Sequence, residues 1–542
     1  MLPFNYVKFF EALAALISPA SSVDGVQALR RITAIEDYDL KTLTVACLDH
    51  GVFDWLLRSL EYCGDADEPE RTKETLWIFT NLAVTSEGCT VLLERGVAEK
   101  LCCVLHLGQP DDIVENALWA LGNIAGEGRA AVESLIERGV FAHVCRYMTE
   151  VYQASGQVKV AVHKILAWTM SNFLRVKPPL PYNMTAPVLP LLAYALRSFA
   201  PFPGLEEVVV DTLWSLSYVF REESEGVRFE DLVGGGETSV LYSVLEQLHT
   251  SRMTRTPALR VLGNVAALDR GIPAQVFTAP VLGHLQRLAA GLGYNDTNAF
   301  KELLWTLSNV LSEGPEVTQR VLEVNLLQTL VPRVPVPTRD RSTATRLWQI
   351  ASELSYVLRS ALAEDNTGEG GAAVVALALL DAGAMRYCAQ TLAVAAQLTE
   401  VSSHQTLGRI FKAVRVMIEC GDTAPDPAVV TEGSAPRNEF LAAFFAAHGQ
   451  DALGKLLENE SLNSVDAAYE EAMALNNLLG DIVGDVAATY SSEPSSENED
   501  SDEDSDAYAS EDTDDGAEDD AGGDATEGSD DDVDDDDSDE SD

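Results

Sequence analysis

A tryptophan followed four residues later by an asparagine recurs along this chain. The complete pairs are Trp77 with Asn81, Trp119 with Asn123, Trp168 with Asn172, and Trp305 with Asn309. Degenerate copies keep the same spacing: Trp214 with Tyr218, Arg260 with Asn264, and Trp348 with Ser352. Positions i and i+4 share one face of a helix, so each copy places a ring beside a carboxamide. A series of such pairs predicts an extended binding surface.

The chemistry of these pairs suits an extended basic peptide. Asparagine side chains both donate and accept hydrogen bonds, so they can satisfy a peptide backbone. Slots between indoles accept the aliphatic stems of lysine or arginine. Each cation that then meets a ring face contributes roughly 0.5–2 kcal/mol, depending on desolvation. Neighbouring carboxylates add specificity and fast association.

Repeating helical units must position these pairs. Successive copies are 42 to 49 residues apart, and units of about 40–47 residues are typical of HEAT and armadillo solenoids. Glycine stands at the entry to a helix, as at Gly96 and Gly139, and the helix that carries Trp119 is expected to stop at Gly126 or Gly128. Val114, Leu118, Leu121 and Ile124 form the apolar stripe of that helix. The sequence predicts an all-α solenoid.

Charge divides the chain into two parts. The 542 residues carry a formal charge of −49, and residues 491–542 contain 27 Asp and Glu without Lys or Arg, which leaves about −22 for the rest. Clustered cations are what phosphate contacts need, so the balance argues against nucleic acid and favours a basic partner. We predict a repeat body at 1–490, with a peptide-binding groove mainly at 70–350, and a disordered acidic tail at 491–542.

Enzyme, metal, cofactor and membrane functions find no support in the sequence. The eight cysteines have no metal-ligand spacing and are interpreted as reduced thiols, mostly buried. The eight histidines form no cluster or catalytic triad spacing. Ala372–Leu380, the longest apolar run, is too short to cross a bilayer. Trp55 is out of register and is predicted to belong to the core.

Five segments resemble consecutive armadillo repeats of the importin alpha family of nuclear import adaptors. They are LWALGNIAGEG, AWTMSNFLRVKPP, DTLWSLSYV, TPALRVLGNVA and ELLWTLSNVLSEG. The order agrees as well, with Tyr for Asn in the fifth copy and Arg for Trp in the sixth. The resemblance covers residues from about 5 to 485. It implies a right-handed superhelix of about ten repeats.

The resemblance also implies two peptide-binding sites. The major site comprises Trp77, Asn81, Thr90, Trp119, Asn123, Glu127, Trp168 and Asn172. In it, Glu127 resembles the family's aspartate that fixes a critical lysine, and Thr90 assists. The minor site comprises Asp211, Trp214, Tyr218, Arg260, Asn264, Glu302, Trp305, Asn309 and Trp348. Asp211 is expected between the sites, and Arg260 is expected to interrupt the series and separate them.

Two departures from the family pattern affect the expected function. Family members begin with a Lys/Arg-rich segment that binds importin beta, whereas residues 1–40 contain only Lys8, Arg30 and Arg31 as cations. Either this member lacks the segment or its start has been placed too late, and both alternatives stay open. In the eighth repeat Ser352 replaces the expected Asn and Thr345 the expected acid, so we expect a weaker minor site.

The resemblance implies a non-enzymatic adaptor that shuttles between cytoplasm and nucleus and binds Lys/Arg-rich nuclear localisation signals. Its expected partners are such cargo, a recycling exportin at the C-terminal repeats, and importin beta, the last doubtful for want of its segment. No membrane and no direct nucleic-acid contact is expected. The alternative is an armadillo scaffold or histone-chaperone-like protein outside the transport cycle, with histones held through the acidic tail.

Overall fold

The computed structural model describes the repeat body and not the acidic residues that follow it. The described ranges are 6–17, 22–34, 40–60, 68–154, 159–221, 224–268, 271–368, 371–398, 403–423, 438–463 and 466–491. The chain divides into two compact units, Met1–Val486 and Ala487–Asp542. The predicted tail, apart from Ser491, lies outside the described residues, and the predicted boundary at 490 stays a prediction.

The described residues form helices and connecting turns, with no strand among them. The first half contains α1 (Tyr6–Ile17), α2 (Ser22–Thr33), α3 (Leu40–Asp49), α4 (Val52–Ser59), α5 (Glu68–Leu82), α6 (Ser86–Glu94), α7 (Val97–Cys103), α8 (Asp111–Gly126), α9 (Arg129–Glu137), α10 (Val140–Gln153), α11 (Val160–Leu174), α12 (Tyr182–Thr185), α13 (Leu189–Phe199), α14 (Glu206–Val219), α15 (Phe229–Val233) and α16 (Val240–Thr250). The second half contains α17 (Arg252–Ala266), α18 (Ile272–Val276), α19 (Ala279–Gly291), α20 (Thr297–Leu311), α21 (Pro315–Glu323), α22 (Leu326–Leu330), α23 (Arg341–Leu362), α24 (Glu364–Thr367), α25 (Gly371–Asp381), α26 (Ala384–Ala395), α27 (His404–Thr423), α28 (Glu439–Ala446), α29 (Gly449–Leu457), α30 (Glu460–Asn463) and α31 (Asp466–Ser491). Short 3-10 turns join some of them, at Ala186–Val188, Gly236–Thr238 and Val331–Arg333.

One long helix of each repeat packs against the corresponding helix of the next repeat. We call these the ladder helices: α2, α5, α8, α11, α14, α17, α20, α23, α27 and α31. Successive members from α2 to α27 contact one another directly, and Gly408 of α27 lies against Ala468 of α31. The remaining helices form the other layers of the stack. The predicted all-α armadillo solenoid is therefore confirmed.

Helix α8 shows why the ladder helices pack. Val114, Leu118, Leu121 and Ile124 are each at most 1% exposed, as the apolar stripe in the sequence predicts. The helix ends at Gly126, as expected. Because each repeat buries this stripe only against its neighbours, the core is continuous along the stack.

The junction before the second short helix of a repeat requires a left-handed backbone. Gly96 and Gly139 have φ values of 71° and 74° there, a region that only glycine adopts without steric cost. Asn325 and His448 occupy the same kind of junction with φ values of 54° and 58°. The predicted role of glycine at helix entry is confirmed, and two repeats fulfil it with a strained side-chain-bearing residue.

One connection differs from the sequence expectation. The polar sequence at residues 149–157 predicts an insertion between repeats, whereas α10 continues to Gln153. Val151 and Tyr152 are buried in the core, so apolar packing extends the helix through residues that read as polar linker. Ala154 follows the helix, and residues 155–157 lie outside the described residues.

Candidate peptide-binding face

Asparagine side chains join successive ladder helices. Asn123 Nδ2 donates to the carbonyl of Thr80, 3.2 Å away, on the preceding ladder helix. Asn264 donates to Ser217 O at 2.7 Å. These bonds use the amide nitrogen, and an asparagine also carries an acceptor oxygen that a peptide N–H could use.

The same arrangement recurs elsewhere in the series. Asn309 donates to Gly263 O at 3.3 Å, and Asn81 donates to Thr33 Oγ1 at 2.9 Å. In every case the acceptor residue stands three positions after the Trp position of the preceding repeat. This register places Arg30 at the Trp position of the first repeat, which the sequence pattern had not shown.

Two of the indoles, Trp168 and Trp305, each lie against a glycine that stands three residues after the Trp position of the preceding repeat. A Cβ on Gly122 would lie 2.2 Å from Cζ3 of Trp168, and one on Gly263 would lie 2.0 Å from Cζ3 of Trp305. Both distances are far below van der Waals contact, so only glycine permits these indoles to lie where they do. These glycines were missed by the sequence analysis, although both follow a Trp position by three residues.

The tryptophans are more accessible than large apolar residues in the ladder helices generally are. Trp119 is 49% exposed and Trp77 is 36% exposed, while Ile78 and Leu118 beside them are fully buried. Trp168, Trp214, Trp305 and Trp348 are half-buried. Of the asparagines, Asn172 is buried, at 3% exposure, and the other four are half-buried. We call the surface formed by these Trp and Asn positions the ladder face.

Thr90 and Glu127 lie in one open depression. Its volume is about 530 Å³, and Cys89 and Arg129 also line it. Both predicted residues are exposed, and Glu127 immediately follows α8. Arg129 is paired with Glu133 at 2.8 Å, so a carboxylate other than Glu127 neutralises it. The depression therefore brings together a carboxylate and a hydroxyl that could receive a lysine ammonium.

Arg260 forms an ion pair with Glu302, the acid predicted for the minor site. Its guanidinium makes a bidentate pair with Glu302, at 2.8 and 2.7 Å, and lies 5.3 Å from the ring centroid of Trp305. Glu302 is 5% exposed. Because a buried carboxylate needs its partner, Arg260 fixes Glu302 and covers one side of Trp305. The expected role of Arg260 as an interruption between two sites stays a prediction.

Arg30 repeats this arrangement at the start of the series. Its Cζ lies 4.4 Å from the ring centroid of Trp77, and its Nε lies 2.5 Å from a carboxylate oxygen of the buried Glu74. Glu74 precedes Trp77 by three residues, as Glu302 precedes Trp305. An arginine thus stands at the Trp position of the repeat before Trp77 and of the repeat before Trp305.

Asp211, the residue expected between the sites, has a raised pKa and lies on α14 with Trp214 and Tyr218 of the predicted minor site. Burial, with a smaller contribution from Glu207, raises the pKa of Asp211 to about 7. Trp214 and Tyr218 stack with ring centroids 6.3 Å apart, and the Arg221 guanidinium lies 4.8 Å from the Tyr218 centroid. Asp211 is half-buried, so a cation brought beside it would shift it to the charged form.

The eighth and ninth repeats change the character of the face. Ser352, at the Asn position, accepts from Arg409 Nη2 at 3.1 Å. Burial raises the pKa of Glu353 to about 7, with nearby cations and Glu302 as smaller influences. Trp348 therefore lies beside a serine and an arginine instead of an asparagine and an acid.

The described residues hold no group of three metal-ligating side chains. Among them no single helix is long and apolar enough to cross a membrane. One bent pair of helices, Gly371–Asp381 with Ala384–Ala395, has the length and composition of a membrane span when the two helices are taken together, and nothing beyond length and composition supports this. Burial raises the pKa of Cys47, Cys89, Cys102, Cys145 and Cys388 to about 12, so these thiols are in the neutral form. Cys103, by contrast, is exposed.

Curated proteins with similar sequences agree with the repeat pattern. Importin subunit alpha-2 of Arabidopsis thaliana is 31% identical over 190 residues, which cover 35% of this chain and 33% of that protein. Importin subunit alpha-1a of Oryza sativa is 30% identical over 278 residues, covering 51% of this chain and 49% of that protein. Over these stretches the chain is similar in sequence to importin alpha subunits.

Other comparisons define how far this importin alpha relationship reaches. The chain spans about a third to a half of the length of the curated relatives it matches. The crystal structure of an engineered protein aligns with a TM-score of 0.62 over 87% of this chain and 98% of that one, at 17% identity, which supports the fold alone. No family model matches the chain.

Proposed function

We propose that this chain is a nuclear import adaptor whose ladder face binds Lys/Arg-rich nuclear localisation signals. The observation that carries the proposal is the pair of exposed indoles, Trp77 and Trp119, each one turn before an asparagine that bonds to the preceding repeat. Trp77 and Trp119 are more than a third exposed although they sit on core helices. Exposed aromatic rings in regular register mark an interaction surface.

The proposed major site lies along α5, α8 and α11. Lysine stems pass between the indoles of Trp77, Trp119 and Trp168. The most tightly held ammonium enters the depression at Thr90 and Glu127. Carboxamides of Asn81, Asn123 and Asn172 satisfy the peptide backbone. The net charge of the chain, −49, favours association with a cationic ligand.

The proposed minor site lies along α17, α20 and α23. Trp305, Asn309 and Asn264 supply the ring and carboxamides. Glu302 is held by Arg260, and the repeat of Trp348 has Thr345 at the expected acid position and Ser352 at the expected asparagine position. A ligand cation therefore meets fewer free carboxylates here, and we propose that the minor site binds more weakly than the major site.

The adaptor proposal includes partners and location. Cargo with basic signals, importin beta and a recycling exportin at the C-terminal repeats are the proposed partners, and the chain would shuttle between cytoplasm and nucleus. It acts by binding and not by catalysis.

Reconstituted import tests the transport proposal. A fluorescent cargo with a lysine-rich signal, importin beta and the full chain are added to permeabilised cells. We expect nuclear accumulation that a Trp119→Ala/Asn123→Ala variant does not support, and that a Trp55→Ala variant with the same melting temperature as the wild type supports fully. Cargo that stays outside with wild-type chain while still binding it would reject transport and retain peptide binding.

A second candidate is a scaffold or histone-chaperone-like protein that binds basic proteins outside the transport cycle. The observation in its favour is the 27 Asp and Glu residues at 491–542, without a single Lys or Arg. Affinity purification distinguishes the candidates. Recovery of importin beta and an exportin favours the adaptor, whereas recovery of histones without either favours the scaffold.

A further inference from the structure

A depression of about 550 Å³ lies at the C-terminal end of the ladder face, between α23, α27 and α31. Its charged lining is mainly cationic, with Arg359, Arg409, Lys412 and Arg415 against Glu470 and Glu471. His404 lies at one edge, where Nε2 contacts the carbonyl of Ser461 at 3.0 Å. A cationic cavity is unexpected in a chain with more than twice as many acids as bases.

Arg409 is the central cation of this depression. Its Nε donates to Ser355 Oγ at 2.8 Å and its Nη2 to Ser352 Oγ at 3.1 Å. Its Cζ lies 3.8 Å from the ring centroid of Tyr356. Burial, and to a smaller extent Arg359, lowers the pKa of Arg409. Hydroxyls and a ring fix the guanidinium, but none of these groups neutralises its charge.

The neighbouring cations differ in how they are neutralised. Arg415 pairs with Glu419 at 2.9 Å and with Glu471 at 3.2 Å. In the part of the chain that the structure describes, no carboxylate lies within ion-pair distance of Arg359 or Lys412, and both are exposed. Arg359, Arg409 and Lys412 are therefore the charges that a ligand would meet.

One sequence departure that weakens a cation site here also favours an anion. Ser352 stands where the family has Asn, and its short side chain accepts from Arg409. Glu353 immediately follows Ser352 in the sequence. Burial raises the pKa of its carboxyl group to about 7, which reduces the ionised fraction of that group at neutral pH.

We propose that this depression binds an acidic peptide segment of a partner protein through its Asp and Glu side chains. Arginine forks match carboxylates in planar, bidentate geometry. Arg359 on α23 and Lys412 on α27 bring charge from two helices, which suits several carboxylates along a chain more than one compact anion. The ladder face would then bind cationic peptide at one end and anionic peptide at the other.

Fluorescence anisotropy with a labelled peptide of eight aspartates tests the proposal on the full chain at low salt. We expect saturable binding that weakens about tenfold in Arg359→Gln/Lys412→Gln, since each exposed cation contributes up to about fivefold. Both side chains are exposed, so the fold should be retained, and melting temperatures check this. Arg386→Gln is the matched control, because Arg386 is an exposed arginine of α26 outside the depression.

Each outcome is informative. The proposal is overturned if binding of the aspartate peptide is undetectable, or if the wild type and the double variant bind it equally well. It is also overturned if inorganic phosphate displaces the labelled peptide as effectively as unlabelled peptide does. A full-length variant in which the acids of 527–542 are changed to amides tests whether this chain's own acidic residues occupy the depression. Tighter binding of the aspartate peptide by that variant would contradict a partner protein as the source of the acidic segment. A lysine-rich peptide titrated into the same proteins reports on the proposed adaptor function, and its affinity should not fall in the double variant.

Discussion

Asp211 has the clearest pH signature among the predicted ligand-binding residues. Its pKa is raised to about 7, so the free chain holds a proton there that a bound lysine would expel. Proton release on binding means that affinity rises with pH. For a two-cluster lysine-rich peptide long enough to pass both proposed sites, we expect about tenfold tighter binding at pH 8 than at pH 6.

Asp211→Asn is the variant that checks this. It cannot ionise, so the pH dependence between 6 and 8 should largely disappear, and the loss of affinity relative to the wild type should be largest at pH 8. Isothermal titration in two buffers of different ionisation enthalpy measures the released proton directly. An unchanged pH profile in the variant would show that Asp211 does not meet the ligand.

Gly122 predicts a residue-scale effect on Trp168. A methyl group at Gly122 would lie 2.2 Å from the indole, so Gly122→Ala must displace the ring. We expect a loss of about 1–3 kcal/mol in unfolding free energy, as for overpacked cores, and weaker binding of lysine-rich peptide. Chemical denaturation and a peptide titration measure the two effects.

Gly283→Ala is the matched control for Gly122→Ala. Gly283 lies inside α19, and a Cβ there meets nothing within 4 Å. Alanine is the better helix former by about 1 kcal/mol, so this variant should be as stable as the wild type or more so. Equal behaviour of the two alanine variants would contradict the packing of Trp168 on Gly122.

At the scale of the element, the left-handed helix junctions differ in strain. Gly139 has φ 74° and open space where a Cβ would lie, so Gly139→Ala tests backbone conformation alone. We expect this variant to unfold about 1 kcal/mol more easily. Asn325→Gly should have the opposite sign, because Asn325 holds φ 54° with a side chain. Denaturant melts measure the change in unfolding free energy for both variants. Changes of the same sign would contradict the assignment of strain to these left-handed junctions.

The helices also show what sequence could and could not predict. Ladder helices such as α8 and α20 were predictable, because the apolar stripe and the Trp-x-x-x-Asn pair lie within a single helix. The asparagine bonds, the glycine seats beneath indoles and the Arg30–Glu74 pair were not, because their partners are more than 40 residues apart. Arg30 was also hidden by type, since it stands where the pattern has tryptophan.

At the scale of the whole molecule, net charge governs how fast a basic ligand arrives. The formal charge of −49 creates a long-range attraction that salt screens. Raising ionic strength from about 20 mM to about 300 mM should lower the association rate of a lysine-rich peptide about tenfold. Trp119→Ala should instead act mainly on dissociation, because short-range contacts set that rate. Stopped-flow fluorescence separates the two, and a salt-independent association rate would contradict electrostatic steering.

Titration of a labelled lysine-rich signal peptide into the full chain is the direct test of whether the ladder face binds such peptides. We expect micromolar or tighter binding that persists in Trp55→Ala. Binding should be lost in Trp119→Ala/Asn123→Ala, and also with a peptide in which alanines replace the lysines. Trp55 is half-buried, packs against the core and stands out of register, so it controls for the removal of an indole as such. Absent binding, or binding indifferent to the double variant and to the peptide's lysines, would contradict the ladder face as a signal receptor.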